Sequence, residues 1–232
     1  MCGRYTLTNQ EDVIADLQVS IDMSAGSEWW KPRFNVAPTQ PAPVVMMHDG
    51  QRALELMRWG LLPHWTGKSP SKPPLMINAR VESAFSHRIF RDLLERKRCL
   101  VPADGFFEWK RDNPKKPLPL FFHPASRGLI CFAGMWARLR TETGEIHSFT
   151  ILTGPPNELV EPIHDRMPIV LDPSAYAAWL DPAIDAAAAR SLLHVPSAVG
   201  WIAEPVSTRV NSAANDDPAC IAPDAPAQGS LV

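Results

Sequence analysis

The chain has 232 residues, 45% of them hydrophobic and 21% charged, which fits one large domain whose core needs no disulfide support. No stretch approaches the roughly 20 apolar residues of a membrane span. The opening MCGRYTLTNQED contains no apolar signal core, so a cytoplasmic protein is expected. The formal net charge of -2 hides an uneven distribution, +7 over residues 1–140 and -9 over residues 141–232, so a basic face able to meet phosphate is compatible with a mildly acidic chain.

In chain order, Thr8-Asn9-Gln10-Glu11 fits a capping box that opens a short helix ending near Leu17. Val44–His48 and Ala53–Met57 flank Asp49-Gly50, a hairpin signal. Lys68–Pro74 is rich in Pro, Ser and Lys and reads as a loop ahead of MINARVES. Ile89, Leu93 and Leu94 share one face of a predicted helix over Arg88–Arg98. The strand-like runs CLVPADGFFEW, LPLFF, LICFAGMWARL and HSFTILT follow, then predicted helices over Ser174–Leu180 and Pro182–Leu193. After Asn211 the composition turns to Ala, Pro and Asp, which places a domain over residues 1–217 and a loose tail over 218–232.

The 24 prolines are scattered, which favours many short elements joined by fixed turns. Internal repeats, a Gly-rich phosphate loop and an alternation of strands with long helices are all missing, which disfavours a doubly wound sheet. The expected fold class is α+β, a single compact domain with a large mixed, barrel-like sheet flanked by short helices.

Cys2, Cys99, Cys131 and Cys220 lie far apart, without a CxxC pair or a Cys/His cluster, so neither a metal site nor a disulfide framework is expected, and no cofactor. Cys99 and Cys131 read as buried thiols. Cys2 is different. Removal of Met1, normal before a small residue, would leave an α-amine and a thiol on adjacent carbons, a pair that condenses with an aldehyde to an imine and then closes to a thiazolidine. The amine titrates near ~8, so part of it is neutral in the cell, and the positive charge of nearby Arg4 is expected to favour the thiolate.

Glu108 sits among aromatics on a predicted strand, on the face shared with Phe106, where burial would raise its pKa toward neutrality. His164, in EPIHDRMPIV, is a candidate proton shuttle, and Arg166 a two-pronged phosphate ligand. Asn78 and Arg80 share a face if INARVES is extended. Trp59, Trp65 and Trp109 read either as core or as stacking platforms for bases. His87 and His123 read as surface residues.

Together the segments MCGRYTL, RFNVAP, RWGLLPHW, INARVES, RCLVPADGFFEWK, FAGMW, SFTILT and IHDRMPIVL, in order from residue 1 to about 172, resemble the SRAP (SOS-response-associated peptidase) family. The resemblance implies covalent capture of abasic sites, preferably in single-stranded DNA, through a thiazolidine on Cys2, with associated lyase and self-processing activities during the DNA damage response. By motif, Cys2 corresponds to the nucleophile, Asn78 to the group that positions the sugar, Glu108 to the acid/base and His164 to the group acting on the sugar oxygen. Arg4, Arg80 and Arg166 correspond to phosphate clamps, and Pro38, Trp65, Trp109 and Thr153 to the DNA path. The expected partner is single-stranded DNA carrying abasic sites, bound by a cytoplasmic, nucleoid-associated monomer. Departures from the family pattern are Gly154-Pro155-Pro156, His64 and the proline-rich Lys68–Pro74. Two other functions remain open, a hydrolase or cysteine peptidase using Cys2 as N-terminal nucleophile and a non-catalytic DNA-binding module.

Overall fold

A computed structural model describes residues 2–24, 31–62, 75–142 and 144–224. Its strands are β1 (Tyr5–Leu7), β2 (Ile21–Asp22), β3 (Arg33–Val36), β4 (Pro41–His48), β5 (Gln51–Trp59), β6 (Asn78–Arg80) and β7 (Arg98–Ala103). Then follow β8 (Gly105–Lys110), β9 (Leu118–Pro124), β10 (Ile130–Thr141), β11 (Gly144–Gly154), β12 (Met167–Pro168), β13 (Val170–Leu171) and β14 (Trp201–Pro205). Five short helices accompany them, α1 (Glu11–Asp16), α2 (Val81–Ala84), α3 (Arg88–Arg96), α4 (Tyr176–Leu180) and α5 (Ala186–Arg190).

The predicted hairpin forms at Asp49 and Gly50, whose φ values of 47° and 78° give the turn the twist of its flanking strands, with His48 paired to Gln51. This hairpin belongs to a barrel. The antiparallel order β5-β4-β7-β10-β11 closes on itself where β11 pairs in parallel with β5, Ser148 beside Arg58 and Phe149 beside Trp59. Residues then alternate between two cores. Val44, Met46, Met57, Trp59, Cys99, Val101, Phe132, Phe149 and Ile151 form one cluster, and Val45, Leu54, Leu100, Ala133, Met135 and Leu152 join a second with Leu17, Leu94 and Trp179 of the helical layer. The inner face has little room to spare: a Cβ on Gly134 would lie 2.9 Å from both Cys99 Sγ and Val101 Cγ2.

A second sheet, ordered β14-β9-β8-β1-β3, packs Tyr5, Phe106 and Phe122 into the first cluster. Tyr5 meets Trp59 and Phe132 edge-on, with ring centroids at 5.2 and 5.8 Å, so the short strand β1 is keyed into the barrel by one aromatic side chain. The expected mixed, barrel-like sheet with short flanking helices is the observed fold.

Local differences have identifiable causes. The capping box does not form: Thr8 gives its hydroxyl and backbone N–H to Asp104, Asn9 bonds Asp12, and α1 starts at Glu11 behind Gln10. The third helix stops at Arg96, and Arg98 opens β7. Its buried guanidinium donates to the carbonyl oxygens of Trp179, Asp181 and Ile184, tying that strand to α4. The late helix shortens to Ala186–Arg190 because Asp185, not Pro182, caps it by accepting from Ala188 N–H at 2.8 Å. His123 is fully buried rather than at the surface, with Nδ1 2.8 Å from the Pro124 oxygen. Residues 218–224, assigned to the tail by composition, carry a 3-10 turn at Pro218–Cys220 and bury Cys220 against Phe107, Val206 and Val210. His64, Trp65 and the Lys68–Pro74 loop lie outside the described residues. Among the described residues no helix is long and apolar enough to cross a membrane.

Gly105 is the position where this packing leaves least tolerance. A Cβ there would fall 2.3 Å from Phe121 Cε2 and 2.7 Å from the Phe122 carbonyl oxygen, which is backbone and cannot swing away. Gly105→Ala is expected to lose about 1–3 kcal/mol of stability, read as a lower urea midpoint at unchanged slope. An unchanged midpoint would contradict the packing described.

Candidate active site

Three residues are too few to hold a strand in place by ladder bonds alone, yet β1 must bring the chain terminus into the interior. It runs antiparallel to both neighbours, Tyr5 opposite Val36 of β3 and opposite Phe106 of β8. The ladder continues one step toward the terminus, where Phe107 N–H donates to the Arg4 oxygen at 3.0 Å. Cys2 therefore arrives beside Glu108, and the charge on Glu108 acts on its thiol.

Side chains fasten both ends of this strand. Buried Asp104 accepts hydrogen bonds from the Thr6 hydroxyl and from the backbone and side chain of Thr8. Arg4, read from the sequence as a phosphate clamp, is half-buried and donates to Asn35 Oδ1 at 3.0 Å and to the Val210 oxygen at 2.7 Å. Asn35 in turn donates to the oxygens of Ser212 and Asn215, and Asp216 accepts from the backbone N–H groups of Phe34 and Asn35. A C-terminal strap thus locks β3 and Arg4 together.

Cys2 is fully buried. Burial, and then the charge of Glu108, push its thiol well above the usual range, contrary to the expectation that Arg4 would ease its ionisation. Cys131 is likewise pushed up, to about 12, by burial. Thiol acidity therefore does not single out Cys2.

Glu108 is 4% exposed, and desolvation raises its carboxyl pKa while His164 pulls it back down. Asn78, on β6, donates from Nδ2 to the Cys2 carbonyl oxygen at 2.8 Å. Its Oδ1 is buried and makes no hydrogen bond among the described residues, which leaves an acceptor for an incoming hydroxyl. β6 is placed by parallel pairing with β11, Asn78 beside Ile151 and Arg80 beside Thr153.

His164 ends a turn that Asn157 organises. The Asn157 side chain accepts from Leu159 and Val160 N–H, and His164 N–H donates to the Val160 oxygen at 2.9 Å. Arg166 N–H lies 3.0 Å from His164 Nδ1, and Asp165 Oδ1 lies 3.0 Å from the same nitrogen, so both neighbours hold that side of the ring.

The predicted DNA contacts divide. Arg80 is exposed, Pro38 and Trp109 half-buried, and Thr153 buried. Trp109 Nε1 donates to Asn211 Oδ1 at 2.7 Å, which fixes the indole plane beside an open cavity of about 490 Å³ lined by Arg111, Pro114 and Pro117. Trp59 is core, stacked on Phe149 with its Nε1 on the Ile77 oxygen. Arg166 holds Glu82 through both terminal nitrogens and also the Thr153 oxygen. Asp104, Asn35, Asn157 and Glu82 were not singled out from the sequence. Among the described residues no group of three or more His, Cys, Asp or Glu could hold a metal ion.

Comparison with known proteins gives a consistent set of similarities. The SOS response associated peptidase (SRAP) family model matches residues 1–213. The abasic site processing protein YoqW of Bacillus subtilis (strain 168) is 39% identical over 95% of this chain and 99% of its own length. The abasic site processing protein YedK of Escherichia coli (strain K12) is 35% identical over 78% of this chain and 79% of its own. A crystal structure from Bacteroides thetaiotaomicron superposes with a TM-score of 0.81 at 22% identity, covering 97% of this chain and all (100%) of that one. A phage-related protein from Bordetella bronchiseptica superposes at 0.69 with 29% identity, over 88% of this chain and 94% of its own.

The raised pKa of Glu108 has a definite sign in stability. Its folded value lies above its unfolded one, so the carboxyl destabilises the fold once pH rises above the ordinary range near ~4.3. Glu108→Gln removes that penalty and is expected to raise the melting temperature by a few degrees at neutral pH, with the gain shrinking as pH falls below that range. A gain that instead grows toward acid would show that Glu108 is stabilised as the anion.

Proposed function

The chain belongs to the SOS response associated peptidase family, and from that membership and the surroundings of Cys2 we propose that it captures abasic sites in DNA, preferably single-stranded, as a thiazolidine on Cys2. The observation that carries this reading is the placement of Cys2 at the end of β1 against Glu108, with Asn78 on its carbonyl.

After Met1 is removed, the α-amine lone pair adds to the aldehyde carbon of the ring-opened sugar, and loss of one water leaves an imine. The thiol then adds to the imine carbon, its proton passing to nitrogen. Because burial holds the thiol protonated, the amine reacts first and the sulfur needs a proton acceptor when it closes the ring. In this reading Glu108 takes part in that exchange and in processing Met1, and its raised pKa supports the role. His164, held through Nδ1 by its neighbours Asp165 and Arg166, exchanges a proton with the sugar oxygen during ring opening and serves the reverse step. The Asn78 Oδ1 acceptor orients a sugar hydroxyl. Before ring closure, the same imine permits elimination of the 3′ phosphate, an associated lyase reaction. The hydrolase alternative requires an activated thiolate, which the buried Cys2 thiol disfavours.

Intact mass of the purified protein, with and without an oligonucleotide containing one abasic site, tests the proposal. The expected adduct is the chain without Met1 plus the oligonucleotide less one water. A crosslinked species that retains Met1 would overturn the mechanism, and so would full adduct formation by Cys2→Ser. The two acid/base groups separate by kinetics: His164→Ala is expected to slow capture by about 10²–10⁴-fold and to lengthen the life of the formed adduct, whereas release at the wild-type rate would remove His164 from the reverse step.

A further inference from the structure

Glu82 follows Arg80 by two residues, at the start of the four-residue helix α2, and its carboxylate lies against Arg166. Arg166 NH1 donates to Glu82 Oε1 at 2.6 Å and NH2 to Oε2 at 2.8 Å. The NH2 group also donates to the Thr153 oxygen at 2.5 Å, while Nε is buried and has no partner among the described residues. The Arg166 side chain is only 11% exposed, whereas that of Glu82 is 50% exposed. The guanidinium is therefore fixed in the site wall, and the carboxylate is the part that can leave.

A carboxylate and a phosphate present the same two-oxygen edge to a guanidinium fork. The fork that could read a DNA phosphate is already filled by an anion of the chain itself. We propose that Glu82 is an exchangeable counter-ion, an internal stand-in for phosphate that occupies Arg166 in the DNA-free protein and is displaced when the strand enters. This deepens the reading of the site as a DNA binder and rests on it. Hydrogen bonds from Arg166 hold the Glu82 carboxyl below its usual pKa, so the competing charge is present at neutral pH. Because an incoming phosphate offers the fork the same two acceptors that Glu82 gives up, Glu82 sets a threshold for strand entry without blocking it.

Fluorescence anisotropy with a labelled single-stranded oligothymidylate lacking an abasic site, at fixed low salt, tests this without relying on crosslinking. Glu82→Gln is expected to bind about fivefold tighter than wild type. In an Arg166→Gln background the same substitution should change affinity by less than about twofold, and an Arg166→Lys background, which keeps the charge but not the fork, should shrink the effect as well. Weaker binding by Glu82→Gln would make Glu82 a positioning residue for Arg166 and overturn the exchange. A gain that persists undiminished without Arg166 would reduce Glu82 to a general surface charge and overturn it too. If wild type binds and Glu82→Gln binds no better, only this inference falls; if wild type fails to bind the strand, the proposed function falls with it.

Discussion

Everything in the site depends on inserting a three-residue strand, β1, between β3 and β8. Backbone hydrogen bonds contribute about 1 kcal/mol net apiece, too little for so short a ladder to bury a chain end. The deficit is met by side chains at fixed points. Asp104 gathers the hydroxyls of Thr6 and Thr8 past one end, Tyr5 fills a slot between Trp59 and Phe132, and Arg4 reaches the strap beyond Val210. With the strand so held, the terminus stops against Glu108.

That placement orders the chemistry. The low-dielectric setting raises the pKa of both the Cys2 thiol and the Glu108 carboxyl. Outside this dry centre the charges are conventional and paired, as with Arg166 and Glu82 at the rim.

Much of this was legible in the sequence where the signal was local. The Asp49-Gly50 turn, the strand runs and the alternation that puts Glu108 on the Phe106 face depend only on neighbours a few residues away. The site residues Cys2, Asn78, Glu108 and His164 were recognised as chemistry, and the fold brings Cys2 together with Asn78 and with Glu108, and Glu108 within the electrostatic reach of His164. What was not legible depended on distant partners. Thr8 reads as a helix cap until Asp104, 96 residues on, claims its hydroxyl. Arg4 reads as a free cation until the strap covers it. His123 lies in a strand whose pattern did not reveal that β14 covers it. Polar side chains that serve as long-range fasteners leave no periodicity behind them.

The strap has a consequence for biosynthesis. Arg4 meets Val210 across a separation of 206 residues, so the first strand emerges from the ribosome long before its last fastener exists. At synthesis rates of about 5–20 residues per second the interval is roughly 10–40 s. Throughout it Cys2, buried in the finished fold, sits on a strand that lacks its C-terminal fastening. Only the completed C-terminal region supplies Arg4 with its partners at Val210 and Asn211.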